Sequence, residues 1–460
     1  MTTRRSGTPC LTQSCRKCLP ARARQFARRL PFVRTVRSSS TECANVKPGV
    51  PIGLLVIVLA ASAAVLAKDP PVDGTTNEEA KIELTEAALA IHRAAIVIDG
   101  HNDLPWVVRT KGQSSFDVLD ISRPQPSMHT DIERLRAGGV GAQFWSAFVP
   151  AETARTGGAA KQTLEQIDLI HRMVARYPET FEFARTAGDI ERIRSERKIA
   201  CLIGVEGGHS IEDSLAVLRM FYELGVRYMT LTHSDTLDWA DSATDKEKSG
   251  GLSLFGIEVV REMNRLGMLV DISHVSPATM RHVLRVTTAP VIASHSSAFA
   301  IAAHPRNVPD DVLELVARNG GVVMVNFFSG FIVPESARVM AEMFDVGRRL
   351  REQYREEKEF REAMRAWHRE HPIRAGTVGT LVDHIDHIVK VAGVDHAGLG
   401  SDFDGVTTLP DQLHDVSCYP YITQDLVNRG YSSEEIQKIL GGNVLRVLRQ
   451  SEEVAGGAKE

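Results

Sequence analysis

The sequence predicts an α/β fold, a (β/α)8 TIM-type barrel with a helical insertion before its last strand, and three observations predict it. Eight short apolar runs rich in β-branched residues recur down the chain, as buried parallel strands require. Amphipathic helical patterns separate most of them over about 370 residues. Six of the eight runs end in His, Asp or Glu, at the end of the strand where barrels of this class keep their chemistry.

The first run, residues 95–98, leads through Asp99 and Gly100 to His101, Asn102 and Asp103. In an extended segment residues i and i+2 share a face, so His101 and Asp103 can reach one metal ion while Asn102 points elsewhere. The other runs are residues 141–148, 200–205, 227–232, 268–272, 290–294, 321–327 and 397–401. Helical spacing marks residues 78–94, 210–224, 254–266, 276–286 and 310–318. Residues 334–374 break this rhythm: with acids and bases three or four apart, they predict a solvated helical insertion between the seventh and eighth strands. Residues 432–450 open with Ser-Ser-Glu-Glu and continue with apolar periodicity, which predicts a capped helix pair closing the barrel.

Composition divides the rest. Residues 1–47 are a basic leader with eleven Lys and Arg against one acid, Glu42. Residues 48–67 carry no charge and form an apolar signal or anchor segment; residues 68–80 are a linker, 81–450 the barrel domain and 451–460 a flexible tail. The unbroken apolar part, residues 52–67, is 16 residues long, closer to a signal-peptide core than to a membrane span. The expectation is export to the periplasm or the extracellular space, or membrane anchoring with the barrel outside if that segment is retained. Residues 68–460 hold 43 basic and 57 acidic side chains, which argues against nucleic acid as a partner. Four of the six cysteines lie in the leader, so no disulfide framework is expected, and Cys201 reads as a buried small hydrophobe.

The strand ends carry the chemistry. Glu206 follows the third run and precedes Gly207 and Gly208, which let backbone approach closely; His233 follows the fourth, His274 the fifth, His295 the sixth, and Asp402 and Asp404 the eighth. A lone histidine is more often a satisfied core or surface residue than a ligand. Six equivalent strand ends reverse that weighting, because burying such groups unpartnered costs roughly 1–3 kcal/mol each and a divalent cation supplies the partner.

His101-x-Asp103, Glu206, His274, His295 and an Asp after the last strand resemble the amidohydrolase superfamily. More narrowly, IDGHNDLPW (98–106), GGVGAQFWSAFVP (138–150), EGGHSI (206–211), RYMTLTHSD (227–235), DISHVS (271–276), SHSSA (294–298), RNVPDDVL (306–313) and GSDFDGV (400–406) resemble the membrane (renal) dipeptidase family. The resemblance implies a zinc-dependent dipeptidase with two Zn2+ per chain, His101 and Asp103 holding one, His274 and His295 the other, and Glu206 bridging them. It also implies that His233 polarises the scissile carbonyl, that Arg306 pairs with the C-terminal carboxylate of a dipeptide, and that Asp402 moves the proton, with Asp404 the fallback for that role. Two zinc ions about 3.5–4 Å apart would share a water acidic enough to give hydroxide near neutral pH. Dipeptides ending in a D residue fall within the expectation. Barrels of this kind often pair, so a homodimer stands among the expected partners.

Other readings stay open on the sequence. The same chemistry could act on N-acyl amino acids or lactams, and a catalytically inactive binding protein could use the same scaffold, although the intact ligand set argues against it. A metal-dependent phosphoesterase fits barrel and ligands alone, but Arg306 as a lone cation favours a carboxylate. His384 and His387, three apart beside Asp383 and Asp386, read as helix-surface residues rather than a metal pair. Asp99 and Asp271 are candidates to orient ligand histidines.

Overall fold

The computed structural model describes residues 81–457. Its strands are β1 (Val97–Asn102), β2 (Val140–Phe148), β3 (Phe181–Phe183), β4 (Ile199–Glu206), β5 (Val226–Thr230), β6 (Leu269–Asp271), β7 (Ile292–Ala293), β8 (Val322–Val325) and β9 (Ala397–Leu399). All pairings between these strands are parallel, and eight of the strands close on themselves in the order β1, β2, β4, β5, β6, β7, β8, β9, with β9 returning to β1 at Asp99 and Leu399. The predicted (β/α)8 barrel is therefore present. The extra strand, β3, pairs with Ile199–Cys201 on the edge of β4 whose pairing with β5 begins at Ile203. Three residues are too few for a periodic signal, which is why the sequence did not show it.

Alternate residues of the barrel strands face inward, so Ile98, Phe144, Leu202, Tyr228, Leu269, Ile292, Val322 and Met324 pack as an inner core. Val444, Leu445, Val447 and Leu448, from the last helix (Asn443–Gly457), join that core and stopper the barrel at the start of β1. Gly441 marks the closest approach: a Cβ there would stand 2.1 Å from the Ile96 carbonyl oxygen. The helix runs past residue 450, where a flexible tail was expected, because Ser451 and Ala455 are buried. The capping box foreseen at the head of this pair is formed by Ser432 and Glu435.

Helices Leu254–Leu266, Pro277–Val286 and Asp310–Asn319 lie where the spacing places them. The first helix begins only at Glu86, since Thr85 caps it by accepting from the Ala88 N–H and is itself tied to Gln424. The insertion between β8 and β9 is two helices, Pro334–Gln353 and Glu357–Glu370. It is not solvated all round: Met340 packs with Phe328, Phe331 and Val406 at the rim of the barrel, and Val346 packs with Phe360 and Met364. Among the described residues no helix is long and apolar enough to cross a membrane. The leader, the apolar segment 48–67 and the linker lie outside the described residues.

Candidate metal centre

Glu206 ends β4, buried at the carboxyl end of the barrel, and its two oxygens face different imidazoles. Oε2 stands 3.5 Å from His101 Nε2, while Oε1 stands 3.0 Å from His274 Nε2, 3.5 Å from His295 Nε2 and 3.6 Å from His233 Nε2. Asp103 Oδ2 approaches His101 Nε2 from another side at 3.2 Å, and Asp402 completes a compact set with these two. Burial opposes the charge on Glu206, yet His101 and His233 hold its carboxyl well below the usual range.

The hydrogen bonds at the far side of two rings decide which nitrogen is turned to the site. Tyr228 Oη donates to the Gly100 carbonyl at 3.1 Å, so at 2.8 Å it accepts from His101 Nδ1 and leaves His101 Nε2 as the nitrogen that faces Asp103 and Glu206. Ser294 Oγ donates to Asp271 at 2.6 Å and so accepts from His295 Nδ1 at 2.7 Å, which leaves His295 Nε2 bare. His101 Nε2 is buried without a hydrogen-bond partner, and His274 Nε2 lies only 2.9 Å from His295 Nε2. Burial and Arg306 keep His274, and burial and His101 keep His295, well below the usual imidazole range. For His101, burial is outweighed by Tyr228, Glu206 and Asp103, which raise it well above that range and make its Nε2 a place that favours a positive charge. Imidazole nitrogens converging beside carboxylates are a donor set that fits divalent metal.

Tyr228 reaches His101 because Gly204 on the neighbouring β4 has no side chain: a Cβ there would lie 2.0 Å from the tyrosine ring. Removing the hydroxyl frees the His101 ring to change tautomer. Tyr228→Phe is expected to keep the fold and lose about 10–100-fold in metal affinity or turnover, read by metal titration of the folded variant.

The ends of β6 and β9 are turned by backbone rather than by side-chain packing. His274 and Asp402 both sit in the left-handed region, at φ 65° and 63°, which costs of order 1–3 kcal/mol each and persists where the surroundings over-determine it. The His274 carbonyl accepts from the Ala243 N–H at 2.8 Å and from the Thr232 hydroxyl at 3.2 Å, while the Ser242 hydroxyl donates to the His233 carbonyl at 2.7 Å. Asp402 Oδ2 accepts from Asn326 Nδ2 at 2.8 Å, and burial pushes this carboxyl up to about 8. Asp404, the alternative acid, is engaged elsewhere: it accepts from the His129 N–H at 2.8 Å while its own N–H donates to His129 Nδ1 at 2.9 Å.

Arg306 is buried beside this group and, among the described residues, has no carboxylate partner. Its guanidinium donates to Ser296 Oγ and the His295 carbonyl, each at 3.3 Å, its Nε has no partner, and burial draws its pKa down to about 10, so it stays charged at neutral pH. His233 stacks on His274 at 4.4 Å between ring centres, lies 5.0 Å from the Phe148 ring and keeps part of its side chain exposed. Burial lowers its pKa as well.

All eight residues singled out in the sequence, His101, Asp103, Glu206, His233, His274, His295, Arg306 and Asp402, thus stand at one end of the barrel. Several supporting residues were missed. The two strands whose ends offered no acid or imidazole supply Ser146, which donates to Glu206 Oε2 at 3.3 Å, and Asn326 on Asp402. Asp271 acts on His295 only through Ser294. Asp99 does not touch the His101 ring: it accepts from Ser401 N–H and hydroxyl, both at 2.7 Å, and fastens β1 to β9. His384 is fully buried, contrary to its reading as a surface residue, because it bridges two loops; His387 pairs with Asp310. His414, Asp415 and Cys418 form another close trio of donors, but Arg134 and Ser417 already occupy Asp415.

Comparison with known proteins places this architecture. Residues 85–460 match the membrane dipeptidase family, peptidase family M19. Dipeptidase 3 of Mus musculus is 42% identical over 376 residues, 81% of this chain and 67% of its own, and Dipeptidase 3 of Homo sapiens 41% over 378 residues, 81% and 68%. The probable dipeptidase PvdM of Pseudomonas aeruginosa superposes with a TM-score of 0.71 at 26% identity, over 80% of this chain and 98% of that one. A metallo peptidase of Rhodobacter sphaeroides, solved with a phosphinate mimic of the dipeptide L-Ala-D-Ala, shares the fold at a TM-score of 0.63 and 23% identity, over 78% of this chain and 99% of that one. Kinship over this length leaves one assignment: the chain belongs to the membrane dipeptidase family of metallopeptidases.

Proposed function

We propose that the chain is a dipeptidase holding two zinc ions, one through His101 and Asp103 and one through His274 and His295, with Glu206 between them. It hydrolyses dipeptides with a free C-terminal carboxylate, including those that end in a D residue. The observation that carries this reading is the carboxylate of Glu206, one oxygen turned to His101 and the other to His274 and His295. When bound, the ions supply Lewis acidity that makes a water acidic and polarises the scissile carbonyl.

The chain's own residues do the rest. Arg306, buried and charged, takes the substrate carboxylate in its planar fork of donors and so sets the length of substrate that fits. His233, beside Glu206 Oε1, donates to the carbonyl oxygen as charge develops there. Asp402, which bound cations would return to its ionised form against the effect of burial, accepts the proton of the attacking water and passes it to the leaving amine, with Oδ2 held by Asn326. The D-residue clause is supported by the ligand of the Rhodobacter sphaeroides relative, which mimics L-Ala-D-Ala. Segment 48–67 supports export or anchoring as part of the same reading.

The test is metal analysis joined to a substrate panel. The purified protein is expected to carry close to two zinc ions per chain and to cleave L,L and L,D dipeptides while leaving tripeptides and p-nitrophenyl phosphate intact. Chelation is expected to abolish turnover and added zinc to restore it. Zinc content without dipeptide cleavage sinks the proposal and moves attention to N-acyl amino acids.

A further inference from the structure

The histidine set aside as a metal ligand has another task, and the inference rests on the reading of Arg306 as the carboxylate clamp. Arg306 is seated between two segments. One is the turn after β7, where Ser296 Oγ and the His295 carbonyl accept from its guanidinium; the other is the root of the helical insertion, where the Phe331 ring lies 5.4 Å beneath Arg306 Cζ. These segments leave the adjacent strands β7 and β8, whose pairing ends at Ala293 and Val323, so beyond the sheet their outer parts need another tie. His384, from helix Val378–Ala392 outside the barrel, joins them. Its Nδ1 accepts the Ala298 N–H at 3.0 Å, so its Nε2 carries the proton and donates to the Ile332 carbonyl at 3.0 Å.

We propose that His384 is a positioning residue for recognition of the substrate carboxylate, holding the two walls of the Arg306 seat in register. Each wall is bonded two residues or fewer from a group that touches the guanidinium: Ala298 beside Ser296, Ile332 beside Phe331. The ring is fully buried and both of its nitrogens are used, so it has no capacity left for a metal. Two further ties make the loop stiff enough to transmit the constraint. His304 Nδ1 accepts the Arg306 N–H at 3.1 Å, and Asn307 Nδ2 donates to the Ala302 and Phe331 carbonyls at 2.8 and 2.7 Å. The helical insertion, which shows no chemistry of its own, thereby becomes part of substrate recognition, since Phe331 packs on its Met340.

The experiment compares a dipeptide with the same dipeptide as its C-terminal amide, in the metal-loaded full chain, for wild type, Arg306→Met, His384→Ala, His384→Asn and His387→Ala. Arg306→Met is expected to erase the preference for the free acid. His384→Ala is expected to raise KM for the acid by on the order of 10-fold or more, with kcat and metal content near wild type and the acid-over-amide preference reduced. His384→Asn keeps an acceptor for Ala298 and loses the Ile332 bond, so a smaller shift in the same direction is expected, and it is read in place of the alanine variant if that one does not fold. His387→Ala is expected to behave as wild type. A folded His384 variant with wild-type KM and preference overturns the inference, as does a loss that is equal for acid and amide and accompanied by loss of metal. An unchanged preference in Arg306→Met overturns the clamp reading itself, and this inference with it.

Discussion

Glu206→Gln is expected to abolish dipeptide turnover and to lower the metal bound per folded chain. The substitution is nearly isosteric, and the amide can still accept from Ser146 or donate toward a bare imidazole nitrogen, so the barrel is expected to fold. What is lost is a negative group with an oxygen on each side, at 3.5 Å from His101 and 3.0 Å from His274. An amide presents one acceptor and one donor there, and the donor faces lone pairs that would otherwise bind metal. Removing Lewis-acid stabilisation worth several kcal/mol corresponds to roughly 10³-fold or more in kcat/KM at 1.36 kcal/mol per decade. Metal analysis and kinetics on the same preparation check this. Full metal content with undiminished turnover would contradict a bridging role for this carboxylate.

Asp402→Asn is expected to lower kcat by about 10²–10⁴-fold, the usual contribution of a positioned acid or base, while leaving metal content and KM close to wild type. The choice of asparagine matters, because residue 402 has φ 63° and asparagine tolerates left-handed backbone better than most residues. Its amide oxygen can still accept from Asn326 Nδ2, so the local structure has what it needs. Asp404→Asn provides the comparison. Asp404 is occupied by a reciprocal bond with His129, at 2.8 and 2.9 Å, which an asparagine can reproduce, so near wild-type kcat is expected. Loss of turnover in the Asp404 variant with retention in the Asp402 variant would reverse the two roles.

Much of the barrel was legible because its strands are buried on both faces. Such strands must be continuous apolar runs, and the period of the intervening helices differs from theirs, so the alternation stands out in one dimension. The location of the candidate site followed from the same regularity: polar residues at strand ends such as Glu206, His274 and His295 break runs that otherwise have no reason to stop. β3 escaped because three residues carry no period, and the start of the first helix was misplaced because Thr85, a capping residue, looks like any other threonine in a polar stretch.

The residues that support the site were hidden for a different reason. Tyr228 lies inside β5 among Val226, Met229 and Thr230, where an aromatic reads as core; its hydroxyl acquires meaning only because closure of the barrel brings Gly100 and His101 opposite it. Ser146 and Asn326 are ordinary polar residues until β2 meets β4 and β8 meets β9. His384 was misread because its helix has charged neighbours at Asp383 and Asp386, yet its own side faces loops from 298 and 332, more than fifty residues away in sequence.

The order of the eight barrel strands, the end of the barrel where His, Asp and Glu gather and the residue types found there were determined by the sequence alone, because burial and backbone pairing impose periods that a linear reading detects. Which imidazole nitrogen is bare, which of two acids two residues apart faces the site, and what steadies Arg306 were decided only by the tertiary structure. These depend on distances of a few ångströms between segments far apart in the chain, and hydrogen-bond direction at that range has no counterpart in residue spacing.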